Sequence, residues 1–375
     1  MRRRPTRAAG AVAACGALLV LMSGPAQATW LAVIGALVLG VPLASMTMRN
    51  RLDHADVELD CVDRARVGDV VGLVVQVHAR GGPVPLHRLA VEGGPFGSLD
   101  LLVDPVARGQ RAEAQVDAVV ETRGLHDGAP YRAGTGAAFG LIRTSRPGVA
   151  SCRIEVGAAL VDVAPQLLRA VTGATDDAVE RRRGGGDEVH AVRDYRTGDA
   201  MRDVHWRSTA RAGRLVVKDY ERPVPTRSAV AVAGGAPGPA FEGLVSAAAS
   251  VAQSWWRSGE PVDAVRLDPD GAPLVVRGAS QYGLHSWSAA IQPVGGDLRA
   301  VCRMLLGEVR PTTVVLAVGP GAEHVAEACS DLLSAGSAVL VVSLPGLVQP
   351  LPIGVVHRVL DPDLDVARVL AGTTL

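Results

Sequence analysis

Residues 228–256 read SAVAVAGGAPGPAFEGLVSAAASVAQSWW. The opening run 229–233 holds only Ala and Val and is stopped by Gly234 and Gly235, which is the pattern of a short strand buried on both faces. Past Pro237 and Pro239 the period changes, and Phe241, Leu244, Val245, Ala248, Ala252 and Trp255 fall on one face of a helix. The strand pattern returns at 313–318 and 338–342, with Val325, Ala328, Leu332 and Leu333 on a second helical face between them. Strands buried on both faces alternating with helices predict a mostly parallel, doubly wound α/β domain over 228–375.

Upstream, over 53–170, the period is two. Val57, Leu59 and Cys61 alternate with Glu58 and Asp60, and Val71, Leu73, Val75 and Val77 repeat the spacing. Ala112, Ala114, Val116 and Ala118 do so against Glu113, Gln115 and Asp117, as do Cys152, Ile154 and Val156 against Arg153 and Glu155. Such strands have one buried and one wet face, and with turn signals at 81–83, 93–95 and 127–128 they predict a small antiparallel β-sandwich.

Residues 1–52 carry two uncharged apolar stretches, 8–24 and 29–48, joined by a short Gly- and Pro-containing connection. Twenty residues at 1.5 Å rise match about 30 Å of hydrocarbon, so the pattern predicts a transmembrane helical hairpin. Arg2, Arg3, Arg4 and Arg7 precede it, and Arg49 and Arg51 follow it. The positive-inside rule then places both ends in the cytoplasm. A cleaved signal peptide ending at Ala26-Gln27-Ala28 is the rival, and it leaves residues 50 onward on the same side. The expectation is a multi-pass protein of the bacterial cell membrane with cytoplasmic domains.

The chain has 375 residues, enough for two or three domains, with 48% hydrophobic and 20% charged residues. Zero net charge and only 5 Trp, 4 Tyr and 3 Phe exclude a nucleic-acid surface built on basic charge and base stacking. Cys15, Cys61, Cys152, Cys302 and Cys329 are odd in number and lack zinc spacing, so they read as buried free thiols in a reducing compartment.

Between the two domains lies a charged segment, 171–227. Its residues 186–223 read GDEVHAVRDYRTGDAMRDVHWRSTARAGRLVVKDYERP, and 180–222 hold 11 basic and 8 acidic residues. Gly198 permits a turn, Asp199 suits a helix N-cap, and 200–212 form a helix closed by Gly213, with a strand over 215–220. Arg193, Arg202 and Arg211 can converge on Glu188, Asp194 and Asp199. That set reads either as an ion-pair network or as an arginine-rich docking surface.

These residues resemble bacterial domain-of-unknown-function family 58 (DUF 58). Gly186, Glu188, Arg193, Tyr195, Gly198, Asp199, Arg202, His205, Trp206, Ala210, Arg211 and Leu215 stand in the family's motif positions, and Thr209 replaces its usual Ser, keeping the hydroxyl. Arg123-Gly124 and Phe139-Gly140-Leu141 look like its upstream elements, with Ala137-Ala138 in place of Asp-Pro. The resemblance covers nearly the whole chain. It implies an α+β multidomain protein: a membrane hairpin, a sandwich and a von Willebrand factor A-like domain, found beside MoxR-type AAA+ ATPases. The metal loop expected after the first strand of such a domain is degenerate here, because 231–235 read AVAGG with no carboxylate or hydroxyl. Asp263, Asp268 and Asp270 read as a turn instead, so no metal or cofactor is expected.

Enzyme readings find little purchase. Cys302 with His324 or His357 and Asp361 has the chain order of a thiol triad, but its place on the apolar face of 298–306 indicates packing. The triple glycine at 184–186 lacks the Gly-Lys-Ser/Thr of a phosphate loop. The favoured function is a non-enzymatic, membrane-anchored protein-interaction module, an adaptor or assembly partner of a MoxR-type AAA+ ATPase. Its docking residues are Glu188, Arg193, Tyr195, Gly198, Asp199, Arg202, His205, Trp206, Thr209 and Arg211, with Trp206 assigned to packing. The alternatives are an enzyme acting on an anionic substrate through Arg and Asp, and a structural envelope protein.

Overall fold

The computed structural model describes residues 2–25, 27–47, 52–136, 140–164, 167, 189–196, 201, 204–220, 227–346, 350–360 and 366–370. The chain divides into two compact units, 1–157 and 158–375, and the stretch after Gly157 belongs with the second. Three bonds within the second unit account for this: the Ala158 and Val161 amides donate to Ser288 Oγ and Ser250 Oγ, and Ser246 Oγ donates to the Ala159 carbonyl.

In the first unit, β1 (Arg2–Pro5), β10 (Ile142–Ala150), β9 (Ala129–Gly136), β5 (Arg88–Glu92) and β6 (Ser98–Leu102) form one antiparallel sheet in that order. A second sheet joins β2 (Ala55–Asp60), β4 (Val70–Ala79) and β7 (Arg111–Val119), and a third joins β3 (Arg64–Arg66), β11 (Ile154–Gly157) and β8 (Gly124–His126). The period-two pattern explains them: Val57, Leu73, Val75, Val77, Leu89, Val91, Ala133, Ile154 and Val156 point inward from all three sheets into one buried cluster. The same inward packing brings Cys61 Sγ within 3.7 Å of the buried Cys152 Sγ. The Cys152 thiol and burial together push the Cys61 thiol up. Cys15, by contrast, is exposed rather than buried.

The two apolar stretches at the start do fold as helices, α1 (Arg7–Ser23) and α2 (Thr29–Thr47). They approach closely at Gly16, where a Cβ would lie 2.9 Å from Leu39 Cγ and 3.0 Å from the Gly35 carbonyl oxygen. Thr6 caps α1, its Oγ1 accepting the Ala9 amide at 3.3 Å and donating to the Leu141 carbonyl at 3.0 Å. Among the described residues, however, no helix is long and apolar enough to cross a membrane. The transmembrane hairpin is therefore corrected, and with it the integral-membrane assignment and the multi-pass cell-membrane localisation. At 1.5 Å per residue the 17 residues of α1 reach only about 26 Å, and α2 contains Pro42. Arg2, Arg3 and Arg4, read from the sequence as a charged flank, belong to a strand paired with β10. The described residues form instead a mixed α/β chain with eight helices and several sheets.

The second unit is organised by β14 (Ser228–Ala233), all six residues of which are buried. It lies between β15 (Val262–Leu267) and β18 (Thr313–Val318), parallel to both. β20 (Ala338–Ser343) and β21 (Val356–Val359) continue the sheet in parallel beyond β18, and β16 (Pro273–Val276) closes the other edge antiparallel to β15. Val230, Val232, Val315, Ala317, Leu340 and Val342 face α4 (Pro239–Arg257), α5 (Gln281–Ala290) and α8 (Val366–Leu370). Ala229, Ala231, Val314, Leu316, Val339 and Val341 face α6 (Leu298–Glu308) and α7 (Val325–Ser334). A short parallel pair, β17 (Gly296–Asp297) and β19 (Ala322–Glu323), flanks α6 and α7.

Asp263, which the sequence places in a turn with Asp268 and Asp270, sits instead inside β15 with its side chain fully buried. Its Oδ1 accepts the Gly278 amide at 2.7 Å, while Oδ2 has only the Arg227 guanidinium at 3.5 Å, too long for a hydrogen bond. Asp268 does make the turn, its Oδ1 accepting the Asp270 and Ala272 amides. Removing a buried charged partner leaves the rest of the pair uncompensated, so Asp263→Ala should lower stability by about 3 kcal/mol in urea denaturation of the full chain. Asp263→Asn, which keeps an acceptor for Gly278, should lose clearly less.

Candidate functional site

The charged segment builds a small substructure from β12 (Val189–Asp194), α3 (Trp206–Ala212) and β13 (Val216–Tyr220). The two strands pair antiparallel with Arg193 opposite Val217 and Asp194 opposite Val216, and the Tyr195 amide donates to the Leu215 carbonyl at 3.0 Å. Arg214 Nη1 closes the hairpin on Asp194 at 2.7 Å. Val204 bridges to Val217, and Val204, Val216 and Val217 are buried together.

The helix is shorter than its sequence suggests. It begins at Trp206, and its cap is His205, whose Nδ1 accepts the Ser208 amide at 3.1 Å. It does not extend back through Val204 and His205 because their backbone is engaged with β13, the His205 amide donating to the Val216 carbonyl at 2.8 Å; Asp199, the expected cap, lies outside the described residues. Gly213 ends the helix at φ 65°, a left-handed conformation that suits glycine. Thr209 fastens the helix to the strand: its Oγ1 accepts the Val216 amide at 3.0 Å and lies 3.5 Å from the Val216 carbonyl.

Of the predicted docking residues, Tyr195, His205, Trp206, Thr209 and Arg211 are thus gathered on one hairpin and helix, with the backbone of Arg193 beside them. Glu188, Gly198, Asp199 and Arg202 lie outside the described residues. His205 and Thr209 are consumed in holding the substructure together. Trp206 is 62% exposed. Arg207 and Arg211, exposed on the same helix, leave it with a cationic, aromatic surface.

The crevice at the carboxyl ends of β14 and β18, where a doubly wound sheet usually takes its ligand, is closed by backbone. The Gly234 amide donates to the Val294 carbonyl at 2.8 Å, the Gly235 amide to Pro320 at 2.7 Å and the Gly319 amide to Ala233 at 2.9 Å. These three amides are spent within the loops. The Asp297–His324 pair, 3.1 Å apart, also serves structure, since Asp297 caps α6 by accepting the Arg299 amide. Partial burial raises the Asp297 carboxyl, but the Arg299 amide and His324 together hold it below its ordinary value. Among the described residues no group of three or more His, Cys, Asp or Glu side chains is placed to hold a metal ion.

The nucleophile candidates are likewise built into the core. Cys302 is fully buried on α6, and burial above all pushes its thiol up to about 12, the opposite of an activated thiolate. A pair not evident in the sequence, Ser343 Oγ with His357 Nε2 at 2.9 Å, joins β20 to β21, with Ser343 only 1% exposed. It becomes visible only once the strand order is known.

No protein-family model matches the chain, and no curated protein matches it.

Two substitutions separate the roles within the helix. Thr209→Val should lower stability by about 1–2 kcal/mol, because the Val216 amide loses its partner in a largely buried place. Thr209→Ser should stay within about 0.5 kcal/mol of the parent. Thermal or urea unfolding of the full chain measures both.

Proposed function

We propose that this protein is a non-enzymatic protein-interaction module whose docking surface is the exposed side of α3, centred on Trp206 and Arg211. The observation that carries the reading is the contrast within one short helix. His205 and Thr209 fix its position by hydrogen bonds to neighbouring backbone, while Trp206 stands 62% exposed beside Arg207 and Arg211. Trp and Arg are the residues most enriched at binding hot spots, and a rigidly held Trp loses little conformational freedom when it is covered. By the resemblance to DUF 58, the partner is a MoxR-type AAA+ ATPase, and the chain serves as its adaptor or assembly partner.

The test compares stability with capture. Trp206→Ala and Arg211→Ala should each leave unfolding within about 0.5 kcal/mol of the parent, as ordinary surface changes do. Each should weaken capture of a purified MoxR-type ATPase by at least about tenfold, equivalent to about 1.4 kcal/mol. Undiminished capture by both variants, or no capture by the parent, would reject this surface as the docking site.

A further inference from the structure

The wet face of the five-stranded sheet in the first unit carries a groove of about 390 Å³ lined by Arg4, Arg88, Glu92, Arg132, Arg143 and Ser145, with Ala90 and Gly134 as its floor. Each residue follows from strand register. Arg88, Ala90 and Glu92 are successive outward positions of β5, Arg132 and Gly134 of β9, and Arg143 and Ser145 of β10, while Arg4 comes from β1. Gly134 stands opposite both Arg88 and Ser145, so the row that crosses the groove has no side chain at its centre.

Four guanidinium groups meet here, and two are neutralised. Arg132 forms a two-pronged pair with Glu92 at 3.0 and 3.1 Å, and Arg88 does the same with Asp100. Arg4 and Arg143 are left. They are direct partners across β1 and β10, both exposed, and among the described residues neither side chain has a hydrogen bond or ion pair. Like charges directly opposite in an antiparallel pair repel, their Cβ atoms being held only about 4.5–5.5 Å apart. An uncompensated pair of forked donors beside a hydroxyl matches the geometry of phosphate oxygens. The volume is within the range of small-molecule sites.

We infer that this groove is a binding site for a small phosphate-type dianion or polyanion of about diphosphate size, held between Arg4 and Arg143 with Ser145 as a further donor. The paired Arg88 and Arg132 wall the site and fix its width. The site is independent of the docking surface proposed for α3.

Titration calorimetry of the full chain with inorganic pyrophosphate tests it. The expected result is one site, binding pyrophosphate at least about tenfold more tightly than orthophosphate and weakening with salt. Binding of ADP as well would show that the diphosphate is accepted on an organic body, whereas pyrophosphate alone would assign a free anion. Arg4→Gln with Arg143→Gln should weaken binding by at least about tenfold while leaving the ligand-free thermal midpoint equal or higher, because a repulsion has been removed. Gly134→Thr supplies a variant that keeps every charge. Its Cβ would meet the Arg88 carbonyl oxygen at 3.5 Å, an ordinary contact, yet its side chain fills the floor and should also abolish binding. No heat with pyrophosphate, or unchanged affinity in the double variant or in Gly134→Thr, would overturn the site.

Discussion

A strand with both faces buried dictates the architecture of residues 228–359. β14 alternates Ala with Val, and the alternation differs by face: Ala229, Ala231 and Ala233 meet one layer of helices and Val230 and Val232 the other. On the Ala side pack α6 and α7, and on the Val side the helices that carry Phe241, Trp255 and Trp287. Because β14 is central, the loop that follows it meets the loop that follows β18 at the carboxyl ends of these neighbouring strands. The loops there pack backbone against backbone, and a Cβ on Gly319 would lie 2.7 Å from Gly235 Cα. The place where this topology usually offers a ligand its amides has been turned into a joint.

What the sequence revealed and what it concealed divide along a physical line. The runs at 229–233, 313–318 and 338–342 coincide with β14, β18 and β20 because burial on both faces excludes polar residues locally. The alternating strands were legible because burial of one face only imposes a period of two, as at Val57 and Leu59 or Leu73 and Val75. Local reading failed where a residue's partner is distant in sequence. Asp263 looks like a turn residue until its bonds to Gly278 and Arg227 are seen. The helix expected from 200 to 212 starts only at Trp206 because strand pairing of Val204 and His205 with β13 outcompetes it. The apolar stretches at the start were legible as helices, but apolarity alone did not establish a membrane span.

The candidate sites show the same division. The motif residues of the charged segment could be found by pattern, yet their roles separate only in three dimensions, His205 and Thr209 holding and Trp206 facing outward. The arginine groove could not be found by pattern at all. Arg4, Arg88, Arg132 and Arg143 are scattered over the first unit and share no spacing, and only the order β1, β10, β9, β5 makes them neighbours.

That strand order also bears on how the chain is made. β1 is made well before its partner β10, which is among the last strands of the first unit. Pairing across so much intervening chain is entropically expensive and slow, and it cannot begin until residue 145 has been translated. Until then α1 and α2 have been synthesised without the strand contact that anchors Thr6 at the start of α1. The apolar side chains of Leu18, Leu21, Trp30 and Leu37, which stay exposed even in the finished fold, are thus presented before β10 has been made. These two helices therefore pass the interval before the sheet can close with apolar surface uncovered, the condition in which a partly folded chain is most prone to associate.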